Sequence, residues 1–470
     1  MSSYDVRVYH ILANRNQRRT SHTVRWQVAG GRHRRTFATM ALAESFRSKL
    51  IVAQREGVAF DETTGLPEPM ARELNSRSWY EHAVAFVDMK WPRASGNHRK
   101  SIAESLATVT PALLATDRGR PADRDLRAAL YGWAFNRARR EAGPPPAQLA
   151  NAVGWVRSNT VRLPVLVQDA SRVRAALDAL ATLTDGRPAA ANTVARKRAV
   201  FYGALQYAVE LRMLERNPVD HIAWKAPESD GGVIDRKVVV NPDQARTLLA
   251  AVCGLMPELE AFFGCLYYAA LRPEEALHLA ADEYERPSRP GGWGWLHLTG
   301  ATAASGGWGD GPGSREERGL KHRARGATRP VPAAPPLCDL LDAHLTRFST
   351  GPGGRLFVLR RTATGRLIPG QPGPVSGNTY AAVWRRARQT ALTPAQQRSP
   401  LARRPYDLRH AAVSTWLNAG VAAPQVAEWA GHSVHVLLKV YAKCIDGQEE
   451  AARRRIEHAL GIGPAVTDPG

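Results

Sequence analysis

The stretch Pro405-Tyr406-Asp407-Leu408-Arg409-His410 opens a run of chemistry-bearing residues that continues through Gly431-His432-Ser433 to Tyr441, nine residues beyond His432. Two upstream segments complete the set: Leu271-Arg272-Pro273-Glu274-Glu275-Ala276 and Gly319-Leu320-Lys321-His322. Together they hold what metal-free transfer of a phosphodiester requires. A tyrosine can form a covalent intermediate and so divide one difficult step into two easier ones. A planar guanidinium donates paired hydrogen bonds to phosphate oxygens and keeps its charge, which suits Arg272 and Arg409. Donors fixed where negative charge develops carry much of the acceleration in such reactions.

Lys321 is the only lysine between Lys237 and Lys439, in a region whose other positive side chains are arginine. A lysine can release a proton in the transition state, whereas an arginine, with a pKa above about 12, holds its own. Lys321 therefore fits the acid for a leaving 5′-oxygen. It falls between a glycine-rich loop, residues 306–313, and Arg329-Pro330-Val331-Pro332, which reads as a strand pairing with Trp293 to Leu298.

The local context of the other residues is also readable. Arg272 ends the apolar run from Phe262 to Leu271, and Pro273 suits the first turn of a helix. Alone, Arg272 would read as a surface partner of Glu274 or Glu275. Asp407 is placed to cap a helix that carries Arg409 and stops near Gly420. Pro424 opens a short helix and Gly431 closes it, leaving His432 in the turn before a helix from Ser433. Tyr441 then lies two turns in, beside the apolar positions Val434, Leu437, Leu438 and Val440. His432, His435 and His410 lack a carboxylate or cysteine set at ligand spacing, so metal chemistry is not expected.

In order and spacing, Arg272, Lys321, Arg409, His432 and Tyr441 resemble the tyrosine recombinase (phage integrase) family, over roughly residues 241–460. The resemblance implies site-specific DNA breakage and rejoining through a 3′-phosphotyrosine, with Tyr441 as nucleophile, Arg272 catalytic and supported by the glutamate two or three residues on, and no cofactor. It also implies double-stranded DNA as partner, a homotetramer on that DNA, and a directionality factor. The chain departs from the commonest family pattern, His-x-x-Arg, by carrying Tyr406 three residues before Arg409. Tyr406 can still hydrogen-bond the phosphate or the nucleophile. Unperturbed tyrosine titrates near pH ~10, so the general base is left unassigned. The rival readings are a type IB topoisomerase-like strand transferase and a non-catalytic DNA-binding protein derived from a recombinase.

With 470 residues and 44% hydrophobic side chains, the chain predicts two or three well-cored domains, and its net charge of +21 predicts a polyanionic partner. Cys253, Cys265, Cys338 and Cys444 are scattered without pairing motifs and read as thiols in a reducing compartment. The N-terminus lacks a charged segment followed by an apolar one, and no stretch approaches the ~20 apolar residues of a membrane span. A cytoplasmic, DNA-associated protein is expected.

The fold class expected is multidomain, mainly α with small β-sheets. Residues 1–65 read as a three-stranded sheet plus a helix. Val6, Val8, His10 and Leu12 alternate; Val24, Trp26 and Val28 alternate before the turn Ala29-Gly30-Gly31; a third strand runs from Arg32 to Phe37. Leu42, Phe46 and Leu50 or Ile51 mark the covering helix. Arg25, Arg32, Arg34 and Arg35 lie in or beside this hairpin, and a charged ribbon can enter a DNA groove. The unit resembles the arm-type DNA-binding domains of some integrases.

Residues 70–226 read as all helical, with stripes at Trp79, Ala83, Phe86 and Val87, at Val173, Leu177 and Leu180, and at Val200, Ala204, Tyr207 and Leu211. The last helix is expected to start at Asn192 or Thr193 and to end before Asn217-Pro218. Its Arg196-Lys197-Arg198 cluster is placed to meet phosphates. The segment resembles the family's core-binding domain. A linker at 227–240, a catalytic domain of α+β type at 241–462 and a disordered tail at 463–470 complete the expected layout.

Overall fold

A computed structural model of the chain describes all residues except 1, 17–18, 228–233, 310–314, 322, 325, 361–372, 442–448 and 461–470. The expected tail, part of the expected linker and part of the glycine-rich loop lie outside the described residues. The chain divides into two compact units, Met1–Glu228 and Ser229–Gly470. The small N-terminal sheet and the helices that follow it thus fall in one unit.

In the first unit, the long strand Arg19–Val28 is central. Gly31–Phe37 pairs antiparallel along one side, and Val6–Val8 and Leu12–Asn16 pair in succession along the other. The first expected strand is therefore broken in two at residues 9–11, and Leu12 is 41% exposed rather than in the core. Val24, Trp26 and Val28 alternate inward onto the helix Met40–Arg55, which Thr39 caps through Leu42 N–H. That helix buries Ala43, Phe46 and Leu50, while Leu42 stays exposed. The inward stripe thus begins at Ala43, where a small side chain lets helix and sheet approach.

The rest of this unit is helical. The helix Trp79–Lys90 starts with a full Ser78/Glu81 capping box and buries Trp79, Ala83, Phe86 and Val87. The helix Ala170–Leu180 buries Val173, Leu177 and Leu180. The helix Ala191–Glu210 has Ala190 at its N-cap, two or three residues before the expected Asn192 or Thr193, and Leu211 is exposed beyond its end. Asn217 caps the next short turn instead, accepting from Val219 N–H.

The second unit positions the residues of interest. Helices Pro242–Leu255, Glu260–Tyr268, Pro335–Arg347 and Gly377–Ala391 share one apolar core with a three-stranded sheet. Gly294–Leu298 is central in that sheet, flanked by Tyr284–Glu285 and Arg329–Ala333. The expected pairing of 293–298 with Arg329 onward is present. A second hairpin, Gly300–Ala304 with Arg315–Gly319, is inserted between those two strands, and Lys321 sits in the turn beyond it. The final helices Asp407–Asn418, Ala423–Ala430 and Val434–Tyr441 pack through Val413, Leu417, Val426, Ala430, Leu437 and Tyr441. The helix Glu449–Ala459 follows.

Candidate active site

Glu275 is the centre of the site, although it sits at 2% exposure. It lies in the first turn of the helix Pro273–His278, where its Oε2 accepts the backbone N–H of Arg272 at 2.9 Å. That bond folds the Arg272 side chain back so that its Nη1 donates to Glu275 Oε1 at 2.7 Å. Arg329, arriving on the strand Arg329–Ala333, donates to both carboxylate oxygens at 3.0 and 2.7 Å. Arg409, also fully buried, brings a third guanidinium to 3.9 Å. Burial alone would raise the Glu275 pKa. Arg329 first, with Arg409 and Arg272, outweighs that and holds it down at about 2.

Backbone carbonyls complete the grip on the arginines. Arg272 Nη2 donates to Gly431 O at 2.7 Å, and Arg409 Nη2 donates to Ala430 O at 2.5 Å. Arg409 Nη1 donates to Ala270 O. Ala430 and Gly431 close the helix Ala423–Ala430, with Gly431 in the left-handed region at φ +64°. A Cβ on Gly431 would stand 2.2 Å from Arg329 Nη1 and 3.2 Å from Arg272 Nη1, so glycine is required by space as well as by φ.

His432 follows directly, and Arg409 Nη2 donates to its Nε2 at 2.8 Å. An imidazole accepting at Nε2 carries its proton on Nδ1. Burial, then Arg409 and Arg272, pushes the His432 pKa down to about 3, so the ring is neutral near pH 7. His432 Nδ1 and Arg409 Nε are buried without hydrogen-bond partners among the described residues. Three guanidiniums, one carboxylate and unsatisfied donors make a site matched to an anion with several acceptor oxygens.

Tyr441 closes the neighbourhood from the last turn of the helix Val434–Tyr441, fully buried beside Leu437. Its hydroxyl is 3.0 Å from His410 Nδ1, and its ring centroid is 6.1 Å from that of His432. Val434 and Leu438, expected among the apolar positions, are exposed instead. Tyr406 is the residue before the helix Asp407–Asn418; its ring meets His410 edge-on at 5.0 Å and lies 5.9 Å from the Arg409 guanidinium carbon. Asp407 does not cap that helix. It is already inside the first turn, and its carboxylate reaches back to the backbone N–H of Arg404 at 2.8 Å.

The structure therefore brings Arg272, Tyr406, Arg409, His432 and Tyr441 together. Lys321 is exposed in its turn, outside this hydrogen-bonded cluster. A glutamate two or three residues on was expected to support Arg272, and Glu275 is the one that does; that it also gathers Arg329 and Arg409, and that His410 meets Tyr441, were not read from the sequence. The only local signal for His410 was its place beside Arg409.

Of the residues expected to meet DNA, Arg25 and Arg34 are cross-strand partners, and Arg32 stands opposite Gln27, all on the open face of the N-terminal sheet. Arg35 is on the other face, its guanidinium 5.1 Å from the Phe46 ring. Arg196 is exposed and Arg198 half-buried. Lys197 corrects the expectation: it is 5% exposed and paired with Glu104 at 3.2 Å, because its helix turns that position toward the helix Gly96–Val109.

The folded chain thus gathers three guanidiniums, a buried carboxylate, two histidines and a tyrosine in one place. No family model and no curated protein matches its sequence. Among solved structures it is similar to the Tn1549 transposon integrase in complex with circular intermediate DNA, at TM-score 0.43 and 14% identity, over 69% of this chain and 97% of that one. It is similar to the XerH site-specific recombinase bound to difH substrate, at 0.43 and 12%, over 81% and 94%. A lambda integrase tetramer bound to a Holliday junction matches at 0.43 and 11%, over 91% and 93%. These neighbours are all tyrosine recombinases.

Proposed function

We propose that this chain is a site-specific DNA recombinase of the tyrosine type, serving integration or excision of a mobile element. The observation that carries the reading is Glu275 holding three guanidiniums beside neutral His432, with the Tyr441 hydroxyl one imidazole away. Arg272, Arg409 and His432 Nδ1–H bind the non-bridging oxygens of the scissile phosphate. Tyr441 Oη attacks phosphorus; the P–O5′ bond breaks, and the leaving oxygen takes a proton from Lys321. The 3′-phosphotyrosine conserves the bond energy, so a 5′-hydroxyl from the partner strand restores the diester and frees Tyr441 without nucleotide or metal. Exchange between two duplexes calls for four protomers, and an accessory factor sets direction.

The N-terminal sheet supplies a second DNA contact through Arg25, Arg32 and Arg34. The helical part of the first unit, with Arg196 and Arg198, grips the core site.

The test is a suicide duplex carrying the site that the full chain protects in DNA flanking its gene. A covalent adduct mapped to Tyr441, absent in Tyr441→Phe although that variant still binds, is expected. An adduct mapped to Tyr406 would reassign the nucleophile, and no adduct with the wild-type chain would refute the reading.

A further inference from the structure

The proposed reaction needs an acceptor for the Tyr441 proton, and Tyr406, a phenol, is poorly suited to take it near neutral pH. His432 is also unsuited, since its Nε2 already accepts from Arg409 and its Nδ1 carries a proton. His410 is differently placed. It follows Arg409 on the helix Asp407–Asn418, half-buried, with Nδ1 3.0 Å from Tyr441 Oη. Its ring is wedged between Tyr406, edge-on at 5.0 Å, and Tyr441 at 5.8 Å, so packing on both sides fixes its orientation.

We infer that His410 is the general base that takes the Tyr441 hydroxyl proton, an assignment that rests on the recombinase reading above. As Oη bonds to phosphorus, its proton passes to His410 Nδ1 and the ring becomes an imidazolium. When the partner 5′-hydroxyl attacks, giving its proton to the now neutral Lys321 amine, Oη leaves with its electron pair and recovers its proton from His410. The charged and titratable groups around the ring are Arg404, Arg409, Tyr406, Tyr441 and His432. Burial, then Arg404 and Arg409, lowers the His410 pKa to about 4, so the ring is neutral near pH 7; in the tautomer with its proton on Nε2, Nδ1 accepts the Tyr441 hydroxyl. A bound phosphate's negative charge beside the ring stabilises the imidazolium as it forms.

The experiment measures single-turnover adduct formation against pH on the suicide duplex described above, for the wild-type chain, His410→Ala and His410→Asn. Asparagine places a carbonyl oxygen near the Nδ1 position, so it keeps an acceptor for the Tyr441 hydroxyl yet cannot take the proton. Both variants are expected to bind the duplex and to lose roughly 10²–10⁴-fold in rate, the range for one general base. Their rates should climb in proportion to hydroxide, and free imidazole should restore His410→Ala. A wild-type rate in His410→Asn would overturn the base role and leave only positioning. A near-wild-type rate in His410→Ala would overturn both roles. If the wild-type chain forms no Tyr441 adduct, the recombinase reading itself fails, which separates the two failures. Should His410→Ala not fold, the Asn variant and its pH profile decide the matter.

Discussion

Replacing Gly431 by alanine tests whether the guanidinium cluster is as tightly built as its geometry indicates. Two costs add. Alanine at φ +64° enters the left-handed region, at about 1–2 kcal/mol. Its Cβ would also lie 2.2 Å from Arg329 Nη1 and 3.0 Å from the guanidinium carbon, and Arg329 is at 0% exposure with no open space to retreat into. Displacing it breaks a two-pronged bond to a buried carboxylate, a loss of about 3–5 kcal/mol. The low ends sum to about 4 kcal/mol, and at about 1.4 kcal/mol per tenfold this becomes roughly 10³-fold faster exchange of the amides around 408–431. Hydrogen–deuterium exchange on the full chain reads this directly without mixing in the first unit. Gly431→Asn separates the terms, because asparagine tolerates the left-handed region while keeping the Cβ. It should remain within about tenfold of the alanine variant. Wild-type protection in Gly431→Asn would show that backbone strain alone matters and that the contact with Arg329 does not.

The Glu275 carboxylate, held at about 2 against its ordinary 4.5, contributes stability that is fully present above pH 4.5 and is lost as pH falls toward about 2. The gap in unfolding free energy between wild type and Glu275→Gln should therefore narrow by about 3 kcal/mol across that window, and a pH-independent gap would refute the linkage. Lys321→Arg should keep DNA affinity and lose roughly 10²–10⁴-fold in cleavage rate, with most of the rate restored by sulfur at the 5′-bridging position, whose departure needs no proton. Ordinary cleavage by Lys321→Arg would remove Lys321 as the acid, and slow cleavage without sulfur rescue would make it a phosphate contact.

How much of this was legible follows from the range of each interaction. Arg409, His432 and Tyr441 lie within 33 residues, across three successive helices and the turn between the last two, and Pro424, Gly431 and Ser433 mark the turns, so their proximity could be read from local grammar. The strand carrying Arg329 announced itself with an expected partner at 293–298, yet nothing local said that Arg329 would turn inward to Glu275, 54 residues away. The His410 contact with Tyr441 likewise depends on how two helices dock. Elsewhere, packing overrode pattern: Ala43 replaced Leu42 on the buried face, and the alternation through Leu12 hid a break at 9–11. Lys197 looked like part of a basic surface because its neighbours are arginines, but its helix faces it toward Glu104.

The hydrogen bonds that define the Glu275 cluster close loops of 54, 139 and 159 residues. Contacts of such span form only after the intervening chain has collapsed, so they belong to the late part of folding. Synthesis proceeds from the N-terminus, and the first unit can fold while the second is still emerging. The basic sheet face at Arg25, Arg32 and Arg34 is thus complete on a nascent chain that has neither Gly431 to anchor Arg272 nor Tyr441 itself. On the proposed function, a ribosome-bound or truncated chain would hold nucleic acid and yet have no means of cutting it.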